Sequence, residues 1–146
     1  MQFEFATAPR IIFGPGALRD AGPLAASLGR RALLVGGQTR SRAAGLVHDL
    51  ETRGVACIPF VVASEPTTEL IEAGTELARR ERCDCVIAFG GGSVLDAGKA
   101  IAALLTNGGE LSDYLEVIGH GKPLTQPAAP CLAIPTTAGT GAEVTR

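Results

Sequence analysis

The sequence predicts an α/β fold in which an open, mainly parallel sheet is covered by helices on both faces. Short apolar runs such as 32–35 and 86–89 are rich in Val, Ile and Leu, which is typical of strands buried on both faces. These runs alternate with longer segments of helical periodicity, the pattern of consecutive βα units. Residues 3–5 and 11–13 precede this alternation, and we expect them to form an amino-terminal β-hairpin.

The strands are predicted from apolar, partly β-branched runs bounded by glycine, proline or polar residues. In chain order they cover 32–35, 55–62, 86–89 and 131–134. The helices are predicted from apolar residues spaced three and four apart, with glycine, proline and hydroxyl residues at their ends. In chain order they cover 18–28, 46–54, 68–78, 94–105 and 111–115. A polar loop rich in Gly and Pro is expected at 119–130.

The composition excludes several classes of function. The net charge is −2 and the arginines are scattered, so the sequence has no basic stripe for nucleic acid. No apolar run approaches the roughly 18 residues of a membrane helix, and residues 1–5 lack the features of a signal peptide. We therefore expect a soluble, cytoplasmic protein of one domain that binds neither nucleic acid nor membranes.

The cysteines are predicted to be buried free thiols rather than metal ligands or disulfides. They lie in or beside predicted strands and form no Cys-x-x-Cys pair. They are Cys57, Cys83, Cys85 and Cys131. The two histidines, His48 and His120, have no nearby cluster of carboxylates, so no metal site is predicted within this chain.

The most informative segment is a strand, a turn of three glycines (90–92) and a helix. The glycines let the backbone turn sharply and leave room for a ligand, and the free N–H groups at the helix start favour a phosphate. Ser93 and Asp96 are predicted to form a capping box. The segment matches neither the Gly-x-Gly-x-x-Gly fingerprint nor a Walker A loop. The alternative is a tight turn without a ligand, followed by an Asp96–Lys99 surface pair.

Two other loops with ligand-binding chemistry follow predicted strands. One is 36–39, which contains glycines, an amide and a hydroxyl, and the other is the Thr- and Gly-rich segment 135–140. In open parallel sheets, ligands bind at the carboxyl ends of the strands. Three such loops at one edge favour a nucleotide site, although 135–140 taken alone could be a simple connector.

Two motifs carry a resemblance to a known family. They are Gly-Gly-Gly-Ser-x-x-Asp-x-x-Lys at 90–99 and Pro-Thr-Thr-Ala-Gly-Thr-Gly-x-Glu at 135–143. With 9–16 and 66–69, they make essentially the whole chain resemble the group III, iron-containing alcohol dehydrogenases. Maleylacetate reductases resemble 9–16, but they usually lack Asp and Lys as placed at 96 and 99.

The resemblance implies that residues 1–146 are the Rossmann-like, NAD(P)-binding domain of a longer enzyme. In that family an all-helical second half supplies the metal ligands, and the full-length enzyme transfers hydride reversibly between an alcohol and an aldehyde or ketone. A divalent metal, usually Fe²⁺, acts there as a Lewis acid. This chain would bind the cofactor, hold no metal and be inactive alone. The alternatives are a maleylacetate-reductase-like enzyme and a stand-alone nucleotide-binding or interaction module.

The resemblance also implies roles for individual residues. The expected cofactor contacts are Gly37 and Gln38 at the adenosine ribose, Gly91, Gly92 and Ser93 at the pyrophosphate, and Thr136, Thr137 and Thr140 at the phosphate and nicotinamide side. Asp96 and Lys99 are the candidate catalytic residues and would shape the floor of the cleft, with Asp96 facing the substrate. A structural role is the alternative for Lys99.

The position of Gly37 bears on the choice of cofactor. Members of the family that prefer NAD tend to carry Asp there, which binds the ribose hydroxyls and would repel a 2′-phosphate. Glycine, with Arg40 or Arg42 nearby, would tolerate or favour that phosphate. We therefore expect NADP to be accepted.

The amino-terminal strands either edge the sheet or pair with a second subunit. Family members are often dimers through this region, so the resemblance implies a homodimer.

Overall fold

The computed structural model describes residues 7–145, with the side chain of Arg40 left out. Its strands are β1 (Arg31–Gly36), β2 (Ala56–Val61), β3 (Cys85–Gly90) and β4 (Cys131–Pro135). Its α-helices are α1 (Ala21–Leu28), α2 (Ala44–Thr52), α3 (Thr68–Arg80), α4 (Gly92–Thr106) and α5 (Leu111–Tyr114). Short 3₁₀ turns at Ala17–Asp20 and Arg40–Ala43 lead into α1 and α2. No helix among the described residues is long and apolar enough to cross a membrane.

The four strands form one sheet in the order β2-β1-β3-β4, and every neighbouring pair is parallel. The chain moves to one side of β1 to form β2, then crosses back to form β3 and β4. The direction of winding therefore changes between β1 and β3, which makes the gap at their carboxyl ends the topological switch point. The predicted parallel α/β sheet is confirmed.

The sheet has an apolar core on each face. Strand residues Leu33, Val35, Val86 and Ala88 pack with α3 and α4. Their neighbours in sequence, Ala32, Leu34, Cys85 and Ile87, pack with α1 and α2. Successive strand side chains point to opposite faces, so a strand covered on both faces needs an uninterrupted apolar run. This confirms the prediction of helices on both faces.

The long loop between α5 and β4 is attached to the end of α4 through Asn107, which is only 2% exposed. Its Oδ1 accepts hydrogen bonds from the N–H groups of Thr125 and Gln126, both at 3.0 Å. Its Nδ2 donates to the carbonyls of Ala103 and Gln126 at 2.8 and 3.0 Å. The buried amide therefore donates two hydrogen bonds and accepts two, which is its full capacity. The loop is thereby held in a fixed position before the chain enters β4.

The amino-terminal hairpin is not formed within the described residues. Residues 11–13 have no strand conformation, and residues 3–5 lie outside the described part of the chain. A strand exists only where its backbone groups pair with a neighbour, and nothing between 7 and 145 pairs with 11–13. Phe13 is 99% exposed and Ile11 is 62% exposed.

The two edge strands of the sheet differ in their free backbone groups. The N–H groups of Ala56 and Val62 donate to carbonyls of Arg30 and Gly36, at 2.9 and 2.8 Å. The backbone N–H groups of successive strand residues point to opposite sides of the strand, so that of position 59 would point away from β1. Position 59 is a proline, which has no N–H group. At the other edge, the N–H of Thr136 donates to Gly90 at 2.8 Å. The same alternation turns positions 131, 133 and 135 outward, where 131 and 133 keep their N–H groups and Pro135 has none.

Candidate functional site

The glycine turn leaves donors of α4 without partners in the helix. Gly91 is the N-cap, the helix begins at Gly92, and no side chain caps its start. The N–H groups of Val94 and Leu95 both donate to the Gly91 carbonyl at 3.1 Å. The N–H groups of Gly92 and Ser93 have no carbonyl before them in the helix. They lie at the positive end of a 15-residue helix, an arrangement that suits an anion.

The predicted capping box is wrong. The helix starts at Gly92, two residues earlier than that prediction needs, so Ser93 lies inside the first turn rather than before it. Its hydroxyl instead donates to Oε1 of Glu65 at 2.7 Å. Asp96 pairs with Lys99, as the alternative interpretation expected, with Oδ1 and Nζ 2.9 Å apart.

A cleft of about 340 Å³ lies beside the switch point. One wall is the loop after β1, including Gly37 and Gln38, and the other is formed by Gly90, Gly91 and the loop after β4. The cleft residues that the sequence predicted as cofactor contacts are Gly37, Gln38, Gly91, Thr136 and Thr137. Arg42 also lines it. The structure thus brings together five predicted residues from three loops.

A second cavity, of about 270 Å³, lies on the other side of the glycine turn. It is lined by Gly91, Gly92, Ser93 and Val94 and by the segment 62–65 that follows β2. Gly91 lines both cavities. A ligand at the start of α4 could therefore be contacted from two sides of the same turn.

The loop after β4 packs against the glycine turn. A Cβ at Gly91 would lie 3.5 Å from Oγ1 of Thr137, and a Cβ at Gly92 would lie 3.4 Å from Cβ of Thr140. Thr140 lines neither cavity. Its hydroxyl donates to Oε2 of Glu143 at 3.3 Å and accepts from the N–H of Ala142 at 3.4 Å. Thr140 therefore stands beside the turn and shapes the loop there.

A glycine that the sequence reasoning missed sets how closely α4 approaches the sheet. A Cβ at Gly98 would lie 2.6 Å from the Cβ of Ala88, too close for any side chain. In the Gly-x-Gly-x-x-Gly fingerprint, the last glycine provides this close packing of helix and strand. Here Gly98 provides it at another spacing. The sequence did contain an indication of this close packing, because a small residue in β3, Ala88, is matched by a glycine in α4, Gly98.

Asp96 is exposed and Lys99 is half-buried on α4, and neither residue lines a cavity. Besides Asp96, the Lys99 ammonium contacts Thr145, donating to its Oγ1 at 2.7 Å and to its carbonyl at 3.3 Å. Thr145 Oγ1 in turn donates to the Ala142 carbonyl at 3.3 Å. Lys99 thus holds the last described residues against α4.

The described residues contain no group of three or more His, Cys, Asp or Glu side chains that could hold a metal ion. All four cysteines are free. Burial raises the pKa of the Cys85 thiol to about 12 and those of Cys83 and Cys131 to about 11. These thiols are protonated at neutral pH and are therefore poor nucleophiles and metal ligands.

Comparison with known proteins identifies the family. A sequence model of iron-containing alcohol dehydrogenases matches residues 8–146. The chain belongs to this family. In this member of the family the two motifs at 90–99 and 135–143 contact each other at the glycine turn, where the N–H of Thr136 donates to the Gly90 carbonyl.

Members of the family that resemble the chain include a choline dehydrogenase of Bacillus subtilis, 38% identical over 99% of this chain. A solved structure of a 1,3-propanediol oxidoreductase superposes on the whole chain with a TM-score of 0.88 and 33% identity. A sulfoacetaldehyde reductase from Bifidobacterium kashiwanohense, solved in complex with NAD⁺, superposes on 99% of it with a TM-score of 0.82 and 29% identity. The chain spans 36% of the first relative and 38% and 39% of the two solved chains.

Proposed function

We propose that this chain binds a nicotinamide dinucleotide and forms the cofactor-binding part of an alcohol dehydrogenase that interconverts an alcohol with an aldehyde or ketone. The observation that carries the proposal is the uncapped start of α4 at the switch point, between two cavities. Membership of the family supports it, and so does the NAD⁺ complex of a relative with the same fold. The substrate, an alcohol or aldehyde, is proposed from the relatives alone.

The described residues fit a dinucleotide. The N–H groups of Gly92 and Ser93 would bind the diphosphate, because they are donors without helical partners at the positive end of α4. Gly37 and Gln38 would contact the adenosine ribose, and Thr136 and Thr137 would contact the phosphate and nicotinamide side. Thr140, which lines neither cavity, would reach the cofactor only if its loop moves. When bound, the nicotinamide ring supplies the hydride acceptor or donor. The role of this chain is to hold and orient that cofactor.

We further propose that NADP is accepted at this site. A Cβ at Gly37 would meet nothing within 4 Å, so the space beside the β1 loop is open. Arg42 lines the same cleft and could pair with a 2′-phosphate. No carboxylate lines that cleft within the described residues. A negatively charged group is therefore tolerated there better than at a site with an Asp.

The proposed enzyme is longer than this chain and acts in the cytoplasm as a homodimer. Exposed apolar side chains support further packing, since Val117 and Ile118 are 93% and 84% exposed and Phe13 is 99% exposed. The described residues do not fit a metal, so we assign no step at a metal to them. Asp96 and Lys99 stay candidates for a catalytic role only in the longer enzyme.

Calorimetric titration with NADPH and NADH, without added metal, tests the proposed function. Gly92→Asp is the matched variant, because its Cβ would be tolerated beside Thr140 while its carboxylate would repel the diphosphate. We expect binding by the parent chain and its loss in the variant. Absence of binding to the parent chain and to a longer version carrying the second domain would overturn the proposal.

The homodimer is tested by sedimentation of the parent chain and of Phe13→Ser. We expect a dimer that the substitution converts to a monomer, because it removes apolar area from residues 11–13. A parent chain that is monomeric at all concentrations would contradict the proposal.

A further inference from the structure

The Ser93 hydroxyl is already engaged by another side chain of this chain. The Ser93 O–H donates to Oε1 of Glu65, and the two oxygens lie 2.7 Å apart. A hydroxyl has one hydrogen to donate, so Ser93 cannot donate to Glu65 and to a cofactor phosphate at the same time. The proposed contact of the Ser93 N–H with the diphosphate leaves this hydrogen bond intact, but an additional contact from the Ser93 hydroxyl to the same phosphate requires it to break.

The Glu65 carboxylate also adds charge to the place where an anion would bind. The cavity between the glycine turn and residues 62–65 is lined by Gly92, Ser93 and Glu65, and no basic side chain lines it within the described residues. A carboxylate is the kind of group that the positive end of a helix attracts. A diphosphate brought to the same donors would meet that negative charge at short range.

Glu65 can leave this position without unfolding its surroundings. The segment is fixed at its two ends: the N–H of Val62 donates to the Gly36 carbonyl at 2.8 Å, and Oγ1 of Thr67 caps α3 by accepting from Leu70 at 3.3 Å. Glu65 itself is exposed and lies in neither a helix nor a strand. Rotation of one side chain into solvent is enough to free Ser93.

We propose that Glu65 is an internal competitor for the anion site, so that its carboxylate holds Ser93 until a dinucleotide diphosphate displaces it. Glu65 thereby lowers the affinity for the cofactor and sets how strongly that affinity depends on salt. This inference rests on the proposed binding of a dinucleotide at the start of α4. It concerns a residue that lies 28 positions before Ser93, outside both motifs of the family.

Glu65→Gln tests the inference, with Glu69→Gln as the matched control, since Glu69 is an exposed carboxylate in the first turn of α3. Calorimetric titration with NADH and NADPH at about 20 mM and about 500 mM NaCl gives the affinities. We expect Glu65→Gln to tighten binding about tenfold at low salt, which equals about 1.4 kcal/mol. The gain should shrink at high salt, where the Debye length falls to a few ångströms. Glu69→Gln should bind as the parent chain does.

The outcomes separate this inference from the proposed function. Binding by the parent chain that Glu65→Gln leaves unchanged or weakens would overturn the inference alone, and weakening would mean that Glu65 contacts the cofactor. Binding by Glu65→Gln but not by the parent chain would support both. Absence of binding by parent and variant alike, both in this chain and in a longer version carrying the second domain, would overturn both. A gain of equal size at both salt concentrations, or one shared by Glu69→Gln, would also count against the inference.

Discussion

The side chain of Asp84 accepts the backbone N–H of Arg30, whose nitrogen lies 2.8 and 3.1 Å from the two carboxylate oxygens. The N–H of Arg31 donates to the same carboxylate at 3.0 Å. One side chain, just before β3, thus fixes the entry of the chain into β1. Gly29 permits the approach, since a Cβ there would lie 2.1 Å from Oδ1 of Asp84.

Replacement of Asp84 is expected to make stability less dependent on pH. Desolvation raises the pKa of Asp84, but the N–H donors of Arg30 and Arg31, with other hydrogen bonds, outweigh it and lower the pKa. The carboxylate therefore stabilises the fold above its unfolded pKa of about 3.9, and this is lost as the pH falls through the folded pKa. We expect Asp84→Ala to lower the free energy of unfolding by about 1–2 kcal/mol at pH 7 and by less at pH 3, as measured by urea unfolding. An equal cost at both pH values would contradict this account.

Glycine at position 98 should be needed for the packing of α4 on β3. In Gly98→Ala the new methyl group would lie 2.6 Å from Cβ of Ala88, so helix and strand must separate, at an expected cost of about 1–3 kcal/mol. Gly45→Ala in α2 is the control, since nothing lies within 4 Å of its Cβ position. It should be neutral or stabilise by up to about 1 kcal/mol. Urea unfolding of both variants checks the pair, and similar effects would refute the packing argument.

A charge at position 107 should destabilise the chain strongly. In Asn107→Asp an oxygen replaces the nitrogen that donates to the carbonyls of Ala103 and Gln126. It would leave buried acceptors facing one another, at an expected cost of about 2–4 kcal/mol at pH 7. The cost should fall at pH 4, where a protonated carboxyl can donate again. Unfolding curves at the two pH values measure it, and no difference between them would argue against buried charge as the cause.

Gly37→Asp should shift the choice of cofactor toward NADH. The space beside Gly37 is open, so the new carboxylate fits, accepts ribose hydroxyls and repels a 2′-phosphate. We expect NADPH to lose about tenfold in affinity relative to NADH, or about 1.4 kcal/mol, measured by titration of both cofactors. Gly37→Asn has the same shape without the charge and should shift the ratio less. An equal shift in the two variants would point to shape rather than charge.

The native chain should react slowly with thiol reagents. Burial raises the pKa of Cys85 to about 12 and that of Cys83 to about 11, so little thiolate is present at pH 8. Absorbance with a disulfide reagent should show slow modification of the native chain and rapid modification of four thiols in denaturant. Rapid reaction of the native chain at Cys83 or Cys85 would contradict their burial.

The fold could be predicted from the sequence because its two central strands, β1 and β3, are buried on both faces and are therefore continuously apolar. The cleft could be predicted from the loops that follow strands, since parallel strands bring their carboxyl ends to one edge. The interaction of Ser93 with Glu65 could not, because it joins residues 28 positions apart through side-chain geometry. A local rule predicted Ser93 as a cap, and the start of α4 at Gly92 removed that possibility.

The position of proline differs between the two sheet edges. Pro59 removes the middle one of the three outward donor positions of β2, whereas Pro135 removes only the last of the three on β4 and leaves the N–H groups of 131 and 133. Among the described residues, backbone pairing with a further segment is therefore interrupted at the centre of the β2 edge and left possible along the first part of the β4 edge. We expect an added strand, from the same enzyme or from a second copy, to pair beside β4 rather than beside β2, so solubility and further assembly depend on the same edge.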